Sequence, residues 1–158
     1  MVRSLALATL LVAATQASAL SCVVPDPAET FRLAQESPDR FLVLYGTLSA
    51  DPSAFVTDDT DPMPNPDPVP GTFSGRSLTT EGFTRDASGP ITLRPTCAAS
   101  WCGGFPGTGP ILAFARTTAE GLDLELDACS QWVFPDPPQE VLDLVAECLR
   151  AGGACPAP

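Results

Sequence analysis

Five stretches of the chain carry the apolar and β-branched pattern that predicts β-strands. They span 40–50, 71–80, 90–97, 110–117 and 122–128. The fifth alternates leucine with acidic residues at the period of a strand, and 118–121 has the length of a turn that joins it to the fourth in a hairpin. Gly46, inside the first stretch, indicates a bulge or a sharp bend.

The acidic residues of the fifth predicted strand are Asp123, Glu125 and Asp127. They lie on the strand face opposite the leucines, and this arrangement predicts a solvated face. The alternative interpretation of the acidic residues is a pair of catalytic carboxylates, as in a glycosidase-like hydrolase.

A short helix is predicted before the first strand. Asp26 is a good N-cap, Pro27 suits the first helical position, and Glu29 follows at the spacing of a capping box. The helix should end near Glu36, because Pro38 cannot continue it.

A second helix is predicted at the end of the chain, with Asp136 as its N-cap, Pro137 at its first position and Gln139 at its third. Its apolar face comprises Val141, Leu144, Val145, Cys148 and Leu149. Gly152 and Gly153 provide the conformational freedom with which a helix ends. The pattern as a whole predicts a mainly β fold, a small five-stranded antiparallel barrel with a short N-terminal helix and a C-terminal helix.

A segment rich in proline and aspartate, 51–70, separates the first two strands. Proline at every second position fixes φ and removes N–H donors, so we expect an extended spacer and no interior strand. These prolines are Pro62, Pro64, Pro66, Pro68 and Pro70. Two functional alternatives are a proline-rich peptide ligand and a Ca²⁺ loop with oxygen donors from Asp59, Asp61, Asn65 and Asp67.

Residues 1–19 have the features of a signal peptide. Arg3 supplies the positive start, 5–14 is an apolar run too short to span a membrane, and Ala17-Ser18-Ala19 is a small-residue cleavage site. We expect cleavage after Ala19 and a secreted or periplasmic protein, with 20–158 as a single domain and no transmembrane segment. The alternative is a lipoprotein, because 19–22 loosely resembles a lipidation box that would anchor the protein to the envelope through Cys22.

Composition narrows the chemistry that the chain can carry out. It has no histidine, its eight basic residues are all arginine, and its formal net charge is −11. The lack of histidine excludes Ser-His-Asp triads, Cys-His dyads and the common zinc sites. The acidic balance argues against a nucleic-acid partner, because such binding needs a basic surface. We therefore expect a protein that is not an enzyme and that has no cofactor and no bound metal.

All six cysteines follow the predicted cleavage site, at positions 22, 97, 102, 129, 148 and 155. An even number of cysteines in an exported protein predicts three disulfides. Six cysteines allow 15 pairings, and their spacing alone selects none of them.

The order of these elements resembles the N-terminal domain of the tissue inhibitors of metalloproteinases, a netrin-like module with an OB-fold. Residues 20–22, followed by Pro25 and Phe31, are similar to the opening Cys-Ser-Cys segment of that family. The segment 98–103 resembles its connector ending in Cys-Gly, and 112–129 resembles its hairpin and the cysteine that follows. Cys148 and Cys155 resemble its cysteine-rich end.

The resemblance implies a binding mode, because the family inserts its N-terminal residue into a protease cleft, where the free amine and first carbonyl chelate the catalytic zinc. In this chain the amine and carbonyl belong to Leu20, and the next side chain is Ser21. The implied supporting ridge comprises Cys22, Ala98, Ala99, Ser100, Trp101 and Cys102. The implied disulfides are Cys22–Cys129, Cys97–Cys102 and Cys148–Cys155.

The chain departs from the family at two cysteines. Leu20 stands at the family's first cysteine, so no disulfide fixes the chelating residue, and no cysteine occurs near Phe31. The resemblance therefore implies a monomeric, non-enzymatic binding module with a protein partner, which is a zinc metalloprotease if inhibition is retained. Trp101 is either an anchor for that partner or folded back onto the barrel. Trp132 and Phe134 are predicted to belong to the core.

Overall fold

The computed structural model describes residues 22–55 and 64–155. Its elements in chain order are α1 (Pro27–Glu36), β1 (Arg40–Ala50), a 3-10 helix (Pro52–Phe55), β2 (Val69–Thr79), β3 (Gly82–Pro95), β4 (Cys97–Ala98), β5 (Trp101–Cys102), β6 (Pro110–Thr118), β7 (Gly121–Leu126), β8 (Val133–Pro135) and α2 (Gln139–Arg150). The fold is mainly β with two helices, as the pattern predicts. The predicted signal peptide, Leu20 and Ser21 lie outside the described residues, as do Asp59 and Asp61.

Five strands form a closed ring of hydrogen-bonded neighbours in the order β1, β2, β3, β7 and β6. β1 closes the ring because it pairs with β6 along Arg40–Thr47 and with β2 along Leu44–Ala50. β8 lies outside the ring and pairs with the first part of β6, from Ile111 to Ala113. β4 and β5 form a separate two-stranded sheet.

One pair in the ring corrects the prediction of a wholly antiparallel arrangement. β3 and β7 run parallel, with Ile91 opposite Leu122 and Pro95 opposite Leu126, whereas the other four ring pairs are antiparallel. The reason is geometrical, because strand direction cannot alternate all the way around a closed ring with an odd number of strands. A ring of five strands must therefore contain at least one parallel pair.

β3 is longer than its sequence pattern predicts, beginning at Gly82 instead of 90. Its first half is polar and largely exposed, and its backbone pairs with β2 through a tight turn at which Gly82 has a φ of +97°. Gly46 marks no bulge, since β1 keeps continuous register with β2 there. A Cβ at Gly46 would lie 2.6 Å from the Cα of Gly75, so this glycine allows two backbones to approach closely.

The apolar residues form two cores, one inside the ring and one between the ring and the helices. The inner core is made of Leu44, Leu48, Val69, Phe73, Ile91, Leu93, Ile111, Ala113, Ala115, Leu124, Leu126 and Val133. The outer core joins Phe31 of α1, Phe114 of β6 and Val145 of α2. α1 therefore packs on the outside of the ring at β1 and β6, and α2 packs on the outside at β2 and β3, so neither helix contributes to the inner core.

The helix boundaries agree with the sequence at α1 and differ at α2. The Asp26 carboxylate caps α1 by accepting a hydrogen bond from the Ala28 N–H at 2.9 Å. α2 begins later than predicted, with Pro138 at the N-cap and no side-chain cap. Asp136 has a φ of +46° and lies in the preceding turn, so the two prolines that follow it extend the chain before the helix can start.

Three disulfides connect the elements: Cys22–Cys129, Cys97–Cys102 and Cys148–Cys155. These are the pairs that the family resemblance implies, and they use all six cysteines. Three disulfides suggest an oxidising, extracellular environment. Neither helix in the described part of the chain is long and apolar enough to cross a membrane.

Candidate functional site

The aromatic side chain of the candidate ridge lies on a hairpin that a disulfide closes. β4 and β5 pair Cys97 with Cys102 and Ala98 with Trp101. The turn between them consists of Ala99 and Ser100, with Ala99 at a φ of +54°. Trp101 is 60% exposed, so it is not folded back onto the ring. The disulfide and the short turn together constrain the backbone that carries the indole at the surface.

The hairpin is fixed to the end of β7 by its backbone. The Thr96 N–H donates to the Leu126 carbonyl at 3.0 Å, and the Gly103 N–H donates to the Thr96 carbonyl at 3.0 Å. Gly103 is buried, and a Cβ there would collide with the backbone of Leu126 and Asp127. The glycine after the hairpin is therefore required for this close approach.

The segment after β7 links the hairpin to the start of the described chain. Asp127 accepts hydrogen bonds from the N–H groups of Cys129 and Gln131, each at 2.8 Å, which fixes the turn around Cys129. Cys129 is bonded to Cys22, and Gln131 exchanges hydrogen bonds with the buried Thr30 of α1. Cys22 and the hairpin thus attach to the same short segment, from Leu126 to Cys129.

Two shallow grooves adjoin each other along the part of the chain that follows this segment. One, of about 220 Å³, is lined by Gly104, Phe105, Pro106, Leu126, Asp127, Ser130, Val133 and Pro135. The other, of about 270 Å³, is lined by Val24, Pro25, Pro27, Ser130, Val133, Phe134, Pro135, Pro137, Pro138 and Val141. They share Ser130, Val133 and Pro135 as their common boundary. Val23 and Val24 are each 87% exposed beside the second groove.

The described ends of the proline- and aspartate-rich segment contact the connector that carries the hairpin. The Phe55 ring lies 5.7 Å from that of Phe105, and the Asn65 side-chain carbonyl accepts a hydrogen bond from the Cys97 N–H at 2.8 Å. This contact uses one of the oxygens that the Ca²⁺ interpretation needs. No group of three or more metal-ligating side chains occurs among the described residues.

A charged cluster lies on the other side of β7, and it corrects the prediction of a solvated acidic face. Asp123 is only 4% exposed. Arg94 of β3 donates to its carboxylate through Nε at 3.0 Å and through a second guanidinium nitrogen, and Arg116 of β6 donates at 3.3 Å. The hydrogen bond to Asp123, together with the charge of its carboxylate, raises the pKa of Arg94.

The physical reason for this burial is that the side chains of Arg94 and Arg116, from the strands on either side of β7, cover the Asp123 carboxylate. A cavity of about 300 Å³ is lined there by Leu33, Ser37, Asp39, Phe41, Phe114, Arg116, Asp123, Glu125 and Trp132. Trp132 stacks on Phe41 with ring centroids 4.9 Å apart, so it is a packed residue as predicted. Sequence periodicity predicts that the Asp123 side chain points out of the ring, but it does not predict what covers that side chain. Its burial could have been anticipated only from Arg94 and Arg116, which lie on the two strands next to β7.

Sequence reasoning identified the hairpin residues as a ridge but missed the two grooves beside them. Phe105, Pro106, Pro137 and Pro138 belong to loops and Pro135 ends the three-residue strand β8, and hydrophobic periodicity makes no prediction for such segments. Comparison of the chain with protein families, with curated proteins and with solved structures finds no match.

Proposed function

We propose that this protein is an exported, non-enzymatic binding module of TIMP-like type, in which the five-strand ring corresponds to an OB-fold barrel. The closed order of five strands with both helices packed outside fits a five-stranded Greek-key barrel of this type. The three disulfide pairs agree with those that the resemblance implies. The partner is a protein, bound at the ridge that includes Cys22 and 98–102.

The exposure of Trp101 on a covalently closed hairpin is the observation that carries this proposal. A large aromatic side chain left 60% exposed contributes most when a partner covers it, and tryptophan is enriched among the residues that dominate binding energy. The Cys97–Cys102 disulfide and the two backbone hydrogen bonds at Thr96 hold the hairpin before binding. Little conformational entropy is therefore lost when the partner binds.

The narrower proposal is inhibition of a zinc metalloprotease, with the Leu20 amine and carbonyl as zinc ligands and Ser21 next to them. It is supported by the position of Cys22, which is bonded to Cys129 on the segment that also holds the hairpin. A carboxylate-based hydrolase is less well supported, because the buried carboxylate of Asp123 accepts hydrogen bonds from two arginines. Lipidation of Cys22 is also less well supported, because the lipid would have to occupy the sulfur that is bonded to Cys129.

The experiment measures inhibition of purified zinc metalloendopeptidases by the oxidised, secreted protein. Trp101→Ala should raise the inhibition constant at least about tenfold, as expected for a dominant interface residue. Leu42→Ala is the matched control, because Leu42 is also an exposed apolar residue, at 37%, but lies on β1. Acetylation of the N-terminal amine should abolish inhibition if that amine binds zinc.

Two outcomes would count against the proposal at different levels. Failure to inhibit any of the proteases would remove the narrower function and leave the binding module. The binding module itself is tested by capture from the protein's own exported compartment on immobilised wild type, Trp101→Ala and Leu42→Ala. A captured protein that all three retain equally would rule out the ridge as its binding site.

A further inference from the structure

Among the described residues, none that lines either groove is positively charged. No charged residue occurs from 95 to 115, the stretch that includes the hairpin and the Phe105–Pro106 wall of the first groove. No arginine occurs from 22 to 31 or from 117 to 149, the stretches that supply the remaining walls. The charges at the walls are acidic: Asp127 lines the first groove, and Asp26 and Asp136 each stand between two prolines that line the second.

Proline makes the walls of the second groove poor in backbone donors. Five of its lining residues are Pro25, Pro27, Pro135, Pro137 and Pro138, and none of them has an N–H. An added β-strand needs a row of backbone donors and acceptors on its neighbour, so this groove does not favour an extended strand as its occupant. It favours apolar side chains that fit between the prolines and Val141.

We propose that the two grooves receive apolar side chains from a protein segment whose flanking residues are lysine or arginine. This inference rests on the proposed function, since it assigns the chemistry of the partner to the same face of the molecule. Apart from Asp127, the walls are uncharged and therefore inexpensive to desolvate, whereas covering the carboxylates of Asp26, Asp127 and Asp136 without cations would be unfavourable. A partner with basic residues around an apolar centre satisfies both conditions and is attracted at a distance by the net charge of −11.

Ser130 provides a test of the sign of the partner's charge. It is exposed and lies on the boundary shared by the two grooves. Its φ of +56° is equally demanding for arginine and glutamate, so S130R and S130E differ mainly in charge. S88R is the matched control, because Ser88 is an exposed serine on β3 that lines neither groove.

The experiment selects binders from a phage-displayed library of random dodecapeptides on the oxidised, secreted protein. Enriched sequences are synthesised, and their dissociation constants are measured for wild type, S130R, S130E and S88R at two salt concentrations. We expect peptides that combine at least two large apolar side chains with a net positive charge. S130R should weaken their binding at least about tenfold, S130E should weaken it less, and S88R should leave it unchanged, with a smaller difference between S130R and S130E at high salt.

Several results would overturn the inference. The selection would overturn it if no peptide were enriched, or if the enriched peptides were acidic or uncharged. Equal effects of S130R and S130E on the dissociation constants would also overturn it. So would a dimer of the protein that S130R dissociates, since the occupant of the grooves would then be a second copy. Trp101→Ala separates the inference from the proposed function. Loss of the captured partner with S130R but not with Trp101→Ala would refute the proposed ridge alone, whereas loss of the partner with Trp101→Ala but not with S130R would refute the grooves alone.

Discussion

Gly103 is a residue whose missing side chain determines the position of the hairpin. Its Cα packs against the backbone of Leu126 and Asp127, and a Cβ there would lie 2.8 Å from the carbonyl carbon of Asp127. Backbone atoms on both sides are held by hydrogen bonds between Thr96, Gly103 and Leu126. Neither side can yield without moving the hairpin away from β7.

We predict that Gly103→Ala lowers the free energy of unfolding by about 2–3 kcal/mol, because the methyl group overpacks a site bounded by backbone. Gly104→Ala is the adjacent control, since a Cβ at Gly104 meets nothing within 4 Å. It should change the free energy of unfolding by less than about 1 kcal/mol. Urea unfolding measures both values, and equal effects of the two substitutions would show that Gly103 is not confined.

Asp123 is a buried charge whose partners come from strands on either side of it. We predict that Asp123→Asn lowers the free energy of unfolding by about 2 kcal/mol, less than for a fully buried pair because Arg94 and Arg116 remain partly hydrated. Glu125→Gln, on the same strand face, should cost less than about 0.5 kcal/mol, as its contact with Thr96 is long, at 3.4 Å. Thermal or urea unfolding of both variants tests this, and a larger loss for Glu125→Gln would contradict it.

The sequence predicts the local conformation of a residue well where that conformation depends on its neighbours along the chain. The cap of α1 is an example, since Asp26, Pro27 and Glu29 act within one turn. Prediction from the sequence failed where distant elements decide: Asp123 points outward as predicted, but Arg94 of β3 and Arg116 of β6 cover its carboxylate. The grooves were missed for the same reason, because their walls come from three separated stretches of the chain.

At the scale of elements, the disulfides act over very different lengths of chain. Cys22–Cys129 connects residues 107 apart, whereas Cys97–Cys102 connects residues five apart within one hairpin. In the chain-entropy model, the longer loop restricts the unfolded state far more.

We predict that replacing both Cys22 and Cys129 by serine lowers the free energy of unfolding by about 4–5 kcal/mol. The same change at Cys97 and Cys102 should cost about 2 kcal/mol, because that loop is short. Denaturant unfolding of the two double variants gives the comparison. Equal losses would mean that the loop model does not describe this protein.

Strand periodicity predicted the four strands of the ring that have an apolar face along most of their length. It predicted too short a β3, because the first half of this strand, including Arg85 and Asp86, pairs with β2 but has no fully buried side chain. Pairing of this kind depends on the partner strand and leaves no alternation in the sequence. The parallel pair of β3 and β7 likewise follows from ring closure and not from any residue.

At the scale of the whole molecule, charge and apolar surface are separated. All seven arginines among the described residues lie outside the stretches that form the grooves, while Asp26, Asp127 and Asp136 lie within those stretches. The acidic balance can be read from the sequence but its arrangement cannot, since the arrangement depends on which segments meet. Because of this separation, the salt dependence of peptide binding directly reports the positive charge of the proposed partner segment.

The closure of the ring also determines what a newly synthesised chain exposes while its fold is still incomplete. β1, β2 and β3 are consecutive and pair locally, but their sheet leaves the outer edges of β1 and β3 open until β6 and β7 arrive. Open edges of this kind pair readily with other chains. The hairpin of β6 and β7 covers both edges together, β6 against β1 and β7 against β3. Protection against aggregation during biogenesis therefore depends on the docking of a single hairpin.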